Sequence, residues 1–388
     1  MAPKRCEYNL GFNTPAFLGN AEQRAQWRTP PLKTLMRQWW RVQAWNGGIR
    51  NLDDLRREEG HWFGVAADDG GESRQSQVRI RLAGAWDEGS LNQWPAGEKR
   101  VRHPEVGNGQ DVGAELYLGY GPLTYERNAG TSLGTVRGTN VRRSAIDPEK
   151  QTATLKISAP DNFPLDELMQ LVARFGALGS RSRNGWGSLN VNGIAVPSAD
   201  LLRRISRPLD ECLREEWPHA LGRDDRGLLL WQTRPQANWR DAMRELARVK
   251  IAFRTQPRLS LEGVSDGQFA DRHVLAYPVT HHGVLGPYDR QSKSFGWVDA
   301  SSPNTPKKDK AGYLIQGARL ASQLRFKVVK EGNRYLGLVF HLPCRLPDEL
   351  AQRLAPDDRA RLRQQELAVW RAVHAVLDQQ MTSSGGQR

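Results

Sequence analysis

Cysteine is scarce in this sequence of 388 residues, and its three copies lie far apart at positions 6, 212 and 344. No two of them form a C-x-x-C pair. This spacing argues against a disulfide framework and against a zinc site built on paired thiolates. It is typical of proteins in a reducing cytoplasm.

Long hydrophobic runs are also missing. No stretch approaches the roughly 18 consecutive apolar residues of a membrane-spanning helix. Lys4 and Arg5 are not followed by the apolar segment of a signal peptide. We therefore expect a cytoplasmic protein that does not enter a membrane. Hydrophobic residues still make up 38% of the chain, which suffices for globular cores, and a chain of this length usually divides into two domains.

Acidic residues are fewer than basic ones. The 43 Asp and Glu residues are outnumbered by 56 Lys and Arg residues, which gives a formal net charge of +13. A chain with this balance favours polyanions, of which nucleic acid is the commonest. Arginine supplies most of the positive charge, and its planar guanidinium group pairs with phosphate and stacks on bases. The alternative is a solvated basic surface without a ligand.

Signs of catalysis are few. The sequence contains no H-E-x-x-H zinc motif, and the adjacent residues His281 and His282 point to opposite sides of an extended chain. We therefore predict no catalytic residue, no metal site and no cofactor. One alternative stays open, because a single histidine such as His61 can act as general acid or base in a metal-independent ribonuclease.

One segment combines the start signal of a helix with an apolar stripe. We expect Thr29 to be the N-cap of this helix, since Pro30 and Pro31 follow it in positions typical of a first helical turn. Gly47 with Gly48 indicates the end of the helix. The face expected to meet the core carries apolar residues at helical spacing, namely Leu32, Leu35, Met36 and Trp39.

The same helix carries a basic ridge. Lys33, Arg37 and Arg41 are spaced by four residues and share one face. Arg28 precedes the helix, and Trp40 lies beside the ridge. No Asp or Glu occurs between residues 28 and 50, so we expect these cations to lack a local ion pair and to bind RNA together with Trp40. The alternative is a solvated face of extended side chains.

A second candidate surface is the run FGALGSRSRNGWGSL at residues 175–189, called the glycine loop below. Its glycines allow positive φ and the close approach of a ligand backbone. Its arginines supply charge, and its serines and asparagine supply hydrogen bonds. The predicted RNA-binding residues of the loop are Gly176, Gly179, Ser180, Arg181, Ser182, Arg183, Asn184, Gly185 and Gly187. The alternative is a helix-to-strand turn whose arginines point into water.

Periodicity predicts the fold class. Strands are expected near residues 5–13, 77–83, 151–158 and 188–194, with a second helix after Pro164. The polar, glycine-rich segment 87–114 is interpreted as a loop. In the second half we expect strands near 227–233, 321–329 and 334–342, and helices at 238–250 and 357–380. Strands interleaved with two helices indicate an α+β class, such as a ferredoxin-like domain.

Other basic segments are weaker candidates for RNA binding. Arg240, Arg244 and Arg248 repeat the helical spacing of the first ridge, but Asp241 and Glu245 adjoin them. Two further segments, residues 137–143 and 281–293, are basic and have loop composition.

The order of these segments resembles a known family. Residues 14–19 (TPAFLG), residues 28–41 (RTPPLKTLMRQWWR) and the glycine loop are similar to the RAMP superfamily of CRISPR-associated proteins. Among its members they resemble the first-numbered Cmr subunit of type III-B effector complexes. The paired tryptophan flanked by arginines carries most of the resemblance. Residues 319–324 and 335–343 are similar to the family's C-terminal pattern. One departure is Thr34, where the helix of the family usually has glycine.

The resemblance implies two ferredoxin-like (RRM-like) domains with insertions, one over residues 1–197 and the other over 198–388. It implies a non-catalytic subunit that contacts crRNA or target RNA near the 3′ side of the guide, at one end of a filament of other Cmr or RAMP subunits. Two alternatives stay open. The chain could be a metal-independent RAMP endoribonuclease that processes guide transcripts, or a scaffold whose basic faces meet acidic proteins.

Overall fold

The computed structural model describes residues 3–66, 73–84, 90–107, 109–136, 138–261, 269–277, 279–281, 293–295, 320–352 and 354–383. The strands are β1 (Lys4–Phe12), β2 (Arg79–Ala83), β3 (Ser90–Leu91), β4 (Arg100–Arg102), β5 (Asp111–Gly113), β6 (Leu123–Glu126), β7 (Gly130–Leu133), β8 (Ala145–Ile146), β9 (Ala153–Ala159), β10 (Leu189–Val191), β11 (Ser206–Pro208), β12 (Leu221–Asp224), β13 (Gly227–Leu228), β14 (Leu230–Gln232), β15 (Val279–His281), β16 (Lys293–Phe295), β17 (Leu324–Glu331), β18 (Arg334–His341) and β19 (Thr382–Ser383).

The α-helices are α1 (Thr29–Asn46), α2 (Leu52–Phe63), α3 (Ala114–Gly119), α4 (Leu165–Phe175), α5 (Ala199–Arg204), α6 (Leu209–Cys212), α7 (Trp239–Arg254), α8 (Asp348–Ala351) and α9 (Pro356–Gln380). Short 3₁₀ turns occupy Pro257–Leu259 and Asp271–Val274.

The first half of the chain forms a four-stranded antiparallel sheet in the order β10-β1-β9-β2. Helix α1 follows β1, and α4 follows β9. The main elements therefore run strand, helix, strand, strand, helix, strand, and the last strand pairs with the first. Alternation along β9 explains the burial, since every second residue from Ala153 to Ala159 is buried.

The second half repeats this succession. Its four-stranded antiparallel sheet has the order β17-β18-β14-β19. Helix α7 follows β14, α9 follows β18, and the last strand again pairs with the first. Helices that alternate with antiparallel sheets confirm the α+β class predicted from the sequence.

Helix α1 has the predicted bounds and apolar face. Pro30 and Pro31 occupy the first turn, where a missing N–H is not needed. The N-cap position is Arg28 rather than the expected Thr29, and Gly47 follows the last turn. The predicted core residues are all buried, as are three more on the same helix: Trp40, Val42 and Trp45. The stripe packs against α4, where the ring of Trp39 stacks on that of Phe175 with centroids 5.1 Å apart.

The two halves share a hydrogen-bonded junction along β17. The Val328 N–H donates to Ser188 Oγ at 2.9 Å, and Asn13 Nδ2 donates to the Val328 carbonyl at 3.0 Å. The fully buried Lys327 ammonium donates to the Ala173 carbonyl of α4. Phe340 of the second sheet lies 4.9 Å from Phe175 between ring centroids. Apolar packing is therefore continuous between the halves.

The prediction of a loop over residues 87–114 is wrong for the part that the structure describes. Strand β3 pairs with β8, and β4 pairs with β5. Val101 is 6% exposed within the core. A bidentate ion pair from the buried Arg272 to Glu105 fastens this segment to the second half. Short strands with few apolar residues left no periodic signal.

No helix within the described ranges is both long and apolar enough to cross a bilayer.

Two buried histidines join β18 to α9. His341 Nδ1 and His374 Nε2 lie 3.0 Å apart, and both residues are at most 1% exposed. Burial lowers the pKa of His374 to about 3 and the pKa of His341 well below its usual value. The native state therefore holds both rings neutral at pH values where the unfolded chain takes up protons.

We expect this pair to make acid destabilise the protein. Between pH of about 6.5 and the native pKa, each neutral histidine costs about 1.4 kcal/mol per pH unit. Glu115 and Glu366, whose pKa values burial raises to about 7, produce the opposite slope. The measurement is therefore the difference in unfolding free energy between the native sequence and His374→Leu, obtained by urea unfolding at pH 7.5 and at pH 5.5. The unfolding free energy of the native chain, relative to that of the variant, should be smaller at pH 5.5 than at pH 7.5. The same difference at both pH values would contradict the account.

Candidate nucleic-acid interface

The glycines of the glycine loop lie against other parts of the protein. Gly179, Gly185 and Gly187 have φ of +91°, +90° and +59°. A Cβ atom on Gly187 would lie 1.9 Å from the Leu178 carbonyl oxygen, and one on Gly176 would lie 2.3 Å from that of Val172. Of the glycines expected to admit a ligand backbone, Gly176, Gly185 and Gly187 are buried and lie against protein atoms instead. Gly187 lets the loop fold against its own backbone, and Gly185 lies close to the Met243 side chain of α7.

The second part of the loop is an internal anchor. Trp186 is fully buried among the rings of Phe17, Trp94 and Trp239, with centroid distances of 5.3, 5.5 and 6.0 Å. Thr14 Oγ1 donates to the Gly185 carbonyl at 2.7 Å. What the loop offers to solvent is therefore its tip, where Ser180, Arg181 and Arg183 are exposed and Ser182 is half-buried.

The two arginines of the tip have carbonyl partners and no carboxylate partner among the described residues. Arg181 Nε donates to the Tyr120 carbonyl at 2.7 Å, and Arg183 Nη1 donates to that of Ser322 at 3.4 Å. Arg181 itself has φ of +60°, an unfavourable value for a residue with a Cβ. Surrounding protein partly desolvates both guanidinium groups and lowers the pKa of each. A bound anion would supply the negative charge that no carboxylate provides to these two guanidinium groups.

A lysine from the second half lies directly behind the tip. Lys250 Nζ donates to Asn184 Oδ1 at 2.9 Å, and Asn184 Nδ2 donates to the Leu118 carbonyl at 2.9 Å. The same ammonium lies 5.5 Å from the ring centroid of Tyr117. Burial lowers the pKa of Lys250 well below its usual value, and nearby positive charges, including Arg181, add to the shift. Asn184 thus positions the loop and does not face solvent freely.

Arg325 of β17 extends the same group of cations. Its Nη2 donates to the side-chain oxygen of Gln38 at 3.1 Å in the amide orientation that satisfies both groups. Its buried Nε has no hydrogen-bond partner among the described residues. Burial lowers the pKa of Arg325 to about 9, and the charge of Arg183 adds to the effect. We call Arg181, Arg183, Lys250 and Arg325 the cationic cluster.

An open pocket of about 360 Å³ adjoins the loop tip. Its lining consists of Phe17, Leu18, Gly19, Gln23, Arg143, Ser144, Gly179 and Ser180. Arg143 Nη1 donates to Gln23 Oε1 at 2.9 Å, whereas its buried Nε has no partner in the described part of the chain. Arg28 Nη1 donates to the Gly19 carbonyl at 2.7 Å at the pocket's edge. The pocket thus combines guanidinium groups, hydroxyls and loop backbone.

The basic ridge of α1 has an acidic partner after all. Arg37 and Arg41 both donate to the carboxylate of Glu59 in α2, with the Arg41 bonds at 2.6 Å. The expectation of no ion pair is therefore wrong, because the partner comes from the next helix. Burial acts to raise the pKa of Glu59, but the hydrogen bonds from Arg41 and Arg37 outweigh it and lower the pKa. Of the ridge, Lys33 has no described acidic partner, and burial lowers its pKa.

Trp40 is not available to stack on bases. Its side chain is 3% exposed, and its ring packs edge-on against Phe63 with centroids 6.0 Å apart. For this physical reason we leave Trp40, which was predicted to contact RNA, out of the proposed RNA surface. Both tryptophans of the pair belong to the core.

Among the weaker basic candidates, some arginines have a carboxylate partner and others do not. Arg240 pairs with the buried Glu115 at 3.2 Å, and Arg248 pairs with Glu245 at 3.0 Å. In the segment 137–143, Arg142 pairs with Glu126 at 3.0 Å, which leaves Arg143 for the pocket. Most of the segment 281–293 lies outside the described residues.

The structure gives His61 no catalytic setting. Both of its ring nitrogens lie 3.1–3.3 Å from Gln77 Nε2, and its ring packs against Trp62. Within the described ranges no group of three or more His, Cys, Asp or Glu residues is arranged to hold a metal ion.

Two short patterns that also occur in enzymes have structural roles here. Residues 130–134 read G-x-S-x-G, but Ser132 is 8% exposed within hairpin strand β7, and no helix follows as in a nucleophile elbow. Residues 103–105 read H-x-E, and Glu105 is occupied by its ion pair with Arg272.

No family model matches the chain, and no curated protein matches it either. Similar solved structures do exist. Cmr1 from Pyrococcus furiosus in its apo form is 15% identical at a TM-score of 0.42, over 89% of this chain and 90% of that one. A chain of the type III-B Cmr-beta complex bound to cognate target RNA is 12% identical at a TM-score of 0.42, over 88% and 94%. A chain of Cmr-beta with target RNA and AMPPnP, in the presence of ssDNA, is 10% identical at 0.43, over 98% and 99%.

All three are Cmr proteins or complexes, the group that the sequence resembles. TM-scores of this size do not establish a common fold, so they add no argument about what this chain does.

We expect Gly187→Ala to destabilise the protein far more than a matched substitution elsewhere. Gly193 also has positive φ (+77°), but an added Cβ there meets nothing within 4 Å. Gly193→Ala should cost about 1 kcal/mol of unfolding free energy from backbone strain alone, whereas Gly187→Ala should cost more than about 3 kcal/mol. Urea unfolding measures both values. Equal losses would show that the loop is not held against its own backbone.

Proposed function

We propose that this chain is a non-catalytic RNA-binding subunit of a type III-B (Cmr) CRISPR interference complex in the cytoplasm. In this proposal it contacts crRNA or target RNA near the 3′ side of the guide, at one end of the filament, and its other partners are Cmr or RAMP subunits. The assignment to that complex, and the position within it, rest on the sequence resemblance. The binding of RNA rests on the arrangement of charges.

The observation that supports RNA binding most strongly is the cationic cluster beside the pocket. Several arginines elsewhere in the described chain pair with a carboxylate, such as Arg37, Arg41 and Arg240. Arg181, Arg183 and Arg325 have only carbonyl or amide oxygens as partners. Partly desolvated cations that repel one another are unfavourable in the free protein. Phosphate groups of RNA would relieve this, because charge-assisted bonds to guanidinium are among the strongest hydrogen bonds in proteins.

The proposed RNA surface is therefore the tip of the glycine loop, with Ser180, Arg181, Ser182 and Arg183, together with the pocket residue Arg143. Arg28 and Lys33 extend it toward α1, since neither has an acidic partner within the described residues. The guanidinium groups of Arg37 and Arg41 are secondary contributors at most, because Glu59 already neutralises part of their charge. Contacts to phosphate carry no sequence information, which suits a subunit that must accept any guide.

We also propose that the chain consists of two ferredoxin-like domains with insertions, over residues 1–197 and 198–388. The strand orders β10-β1-β9-β2 and β17-β18-β14-β19 support this, because both follow the strand-helix-strand-strand-helix-strand succession. In each sheet the fourth strand of the succession lies beside the first.

The paired variant Arg181→Asn/Arg183→Gln tests the proposed surface. Asparagine is chosen at position 181 because it tolerates positive φ. Single-stranded RNA binding to the full chain is measured by fluorescence anisotropy over a salt series. Loss of two phosphate contacts should weaken binding and reduce the slope of log K against log salt by about 1.4.

The matched control is Arg203→Gln/Arg204→Gln, which removes the same charge from exposed arginines that pair with Asp200 and Glu167. The control should keep the native slope. If both variants bind RNA like the native chain, or if both reduce the affinity and the salt slope equally, the loop tip is not the RNA surface.

A further inference from the structure

We infer that Tyr120 is a stacking platform for one unpaired RNA base, placed next to the phosphate-binding tip of the glycine loop. This inference rests on the proposed function and adds the class of ligand, which is single-stranded RNA with an accessible base. Nothing in the sequence patterns singled this tyrosine out.

Tyr120 is unusual in its exposure. Its side chain is 55% exposed, while among the other rings around the loop Phe17, Trp186 and Trp239 are buried and Trp94 is half-buried. Tyr117 on the same short helix is covered by Lys250. Within the described residues, Tyr120 is therefore the ring beside the loop that can accept a ligand on its face.

The backbone of Tyr120 is fixed to the loop tip. Arg181 Nε donates to the Tyr120 carbonyl at 2.7 Å. A Cβ atom on the next residue, Gly121 (φ +109°), would lie 3.4 Å from Arg181 Nη2. Tyr120 is the C-cap residue of α3, and Asn184 of the loop binds the Leu118 carbonyl in that helix. The aromatic ring and the guanidinium group therefore start from one rigid junction.

This pairing of ring and guanidinium matches the chemistry of a single-stranded nucleotide. The guanidinium group binds the phosphate, and the ring stacks on the base of a neighbouring nucleotide. Every base has a π face, so the contact tolerates any sequence. A duplex would not use it, because its bases are stacked within the helix. With Trp40 buried, Tyr120 takes the role that the sequence had suggested for that tryptophan.

The test compares Tyr120→Leu, Tyr120→Phe and the control Tyr125→Leu in the full chain. Tyr125 is 61% exposed on the adjacent hairpin strand β6 and makes no described contact with the loop. The probes are a labelled single-stranded RNA and an abasic oligonucleotide of equal length. Tyr120→Leu should weaken RNA binding about 5- to 150-fold, the equivalent of about 1–3 kcal/mol of stacking.

Tyr120→Phe and Tyr125→Leu should bind like the native chain, and the salt slope should stay unchanged in all three. The abasic probe should not distinguish Tyr120→Leu from the native chain. The stacking role is overturned if Tyr120→Leu binds RNA with native affinity, or if its affinity for the abasic probe falls as much as its affinity for RNA. A contact with a protein partner then explains the exposed ring.

Failure of this inference is distinguishable from failure of the proposed function. If Arg181→Asn/Arg183→Gln lowers the salt slope while Tyr120→Leu has no effect, only the stacking role fails. If neither variant changes binding, or the native chain does not bind RNA, the proposed surface fails as well.

Discussion

Ser188 lies fully buried where the two halves of the chain meet, and its hydrogen bonds hold the glycine loop in place. Its N–H donates to Thr14 Oγ1, and its carbonyl accepts from the Asn13 N–H. Its hydroxyl donates to the Gly185 carbonyl and accepts from the Val328 N–H of β17. One small residue thus ties β1, the loop and the second sheet together. A buried network of this kind is rigid only when each member is satisfied.

The position of the loop tip follows from that junction. The Phe326 N–H of β17 donates to the Arg183 carbonyl at 3.0 Å, so a strand of the second half fixes the position of the loop backbone that carries the arginines. Trp186 fills the space beneath. The loop is therefore a fixed scaffold whose glycines accommodate protein and whose two exposed arginines, Arg181 and Arg183, meet solvent in front of the buried cations Lys250 and Arg325.

The parts of this structure that depend on local pattern could be predicted from the sequence. The apolar stripe and prolines of α1 predicted its bounds, and alternation predicted β1 and β9. The ion pairs could not be predicted, because Glu59 lies outside the acid-free stretch from residue 28 to 50 and reaches Arg37 only after α2 packs beside α1. Burial of Trp40 had the same origin, since periodicity shows which residues share a face and not which neighbour covers it. Arg325 and Lys250 come from the other half of the chain, and no local signal connects them with the loop.

The most direct test of the account is to locate RNA on the surface. Single-stranded RNA carrying 4-thiouridine can be crosslinked to the full chain by ultraviolet light and the attached peptides identified by mass spectrometry. We expect crosslinks in peptides that contain residues 120–143 and 180–183, and none on the peptide that contains Trp40. Crosslinks confined to α1 or to the outer face of α9, with none at the loop tip, would contradict the account.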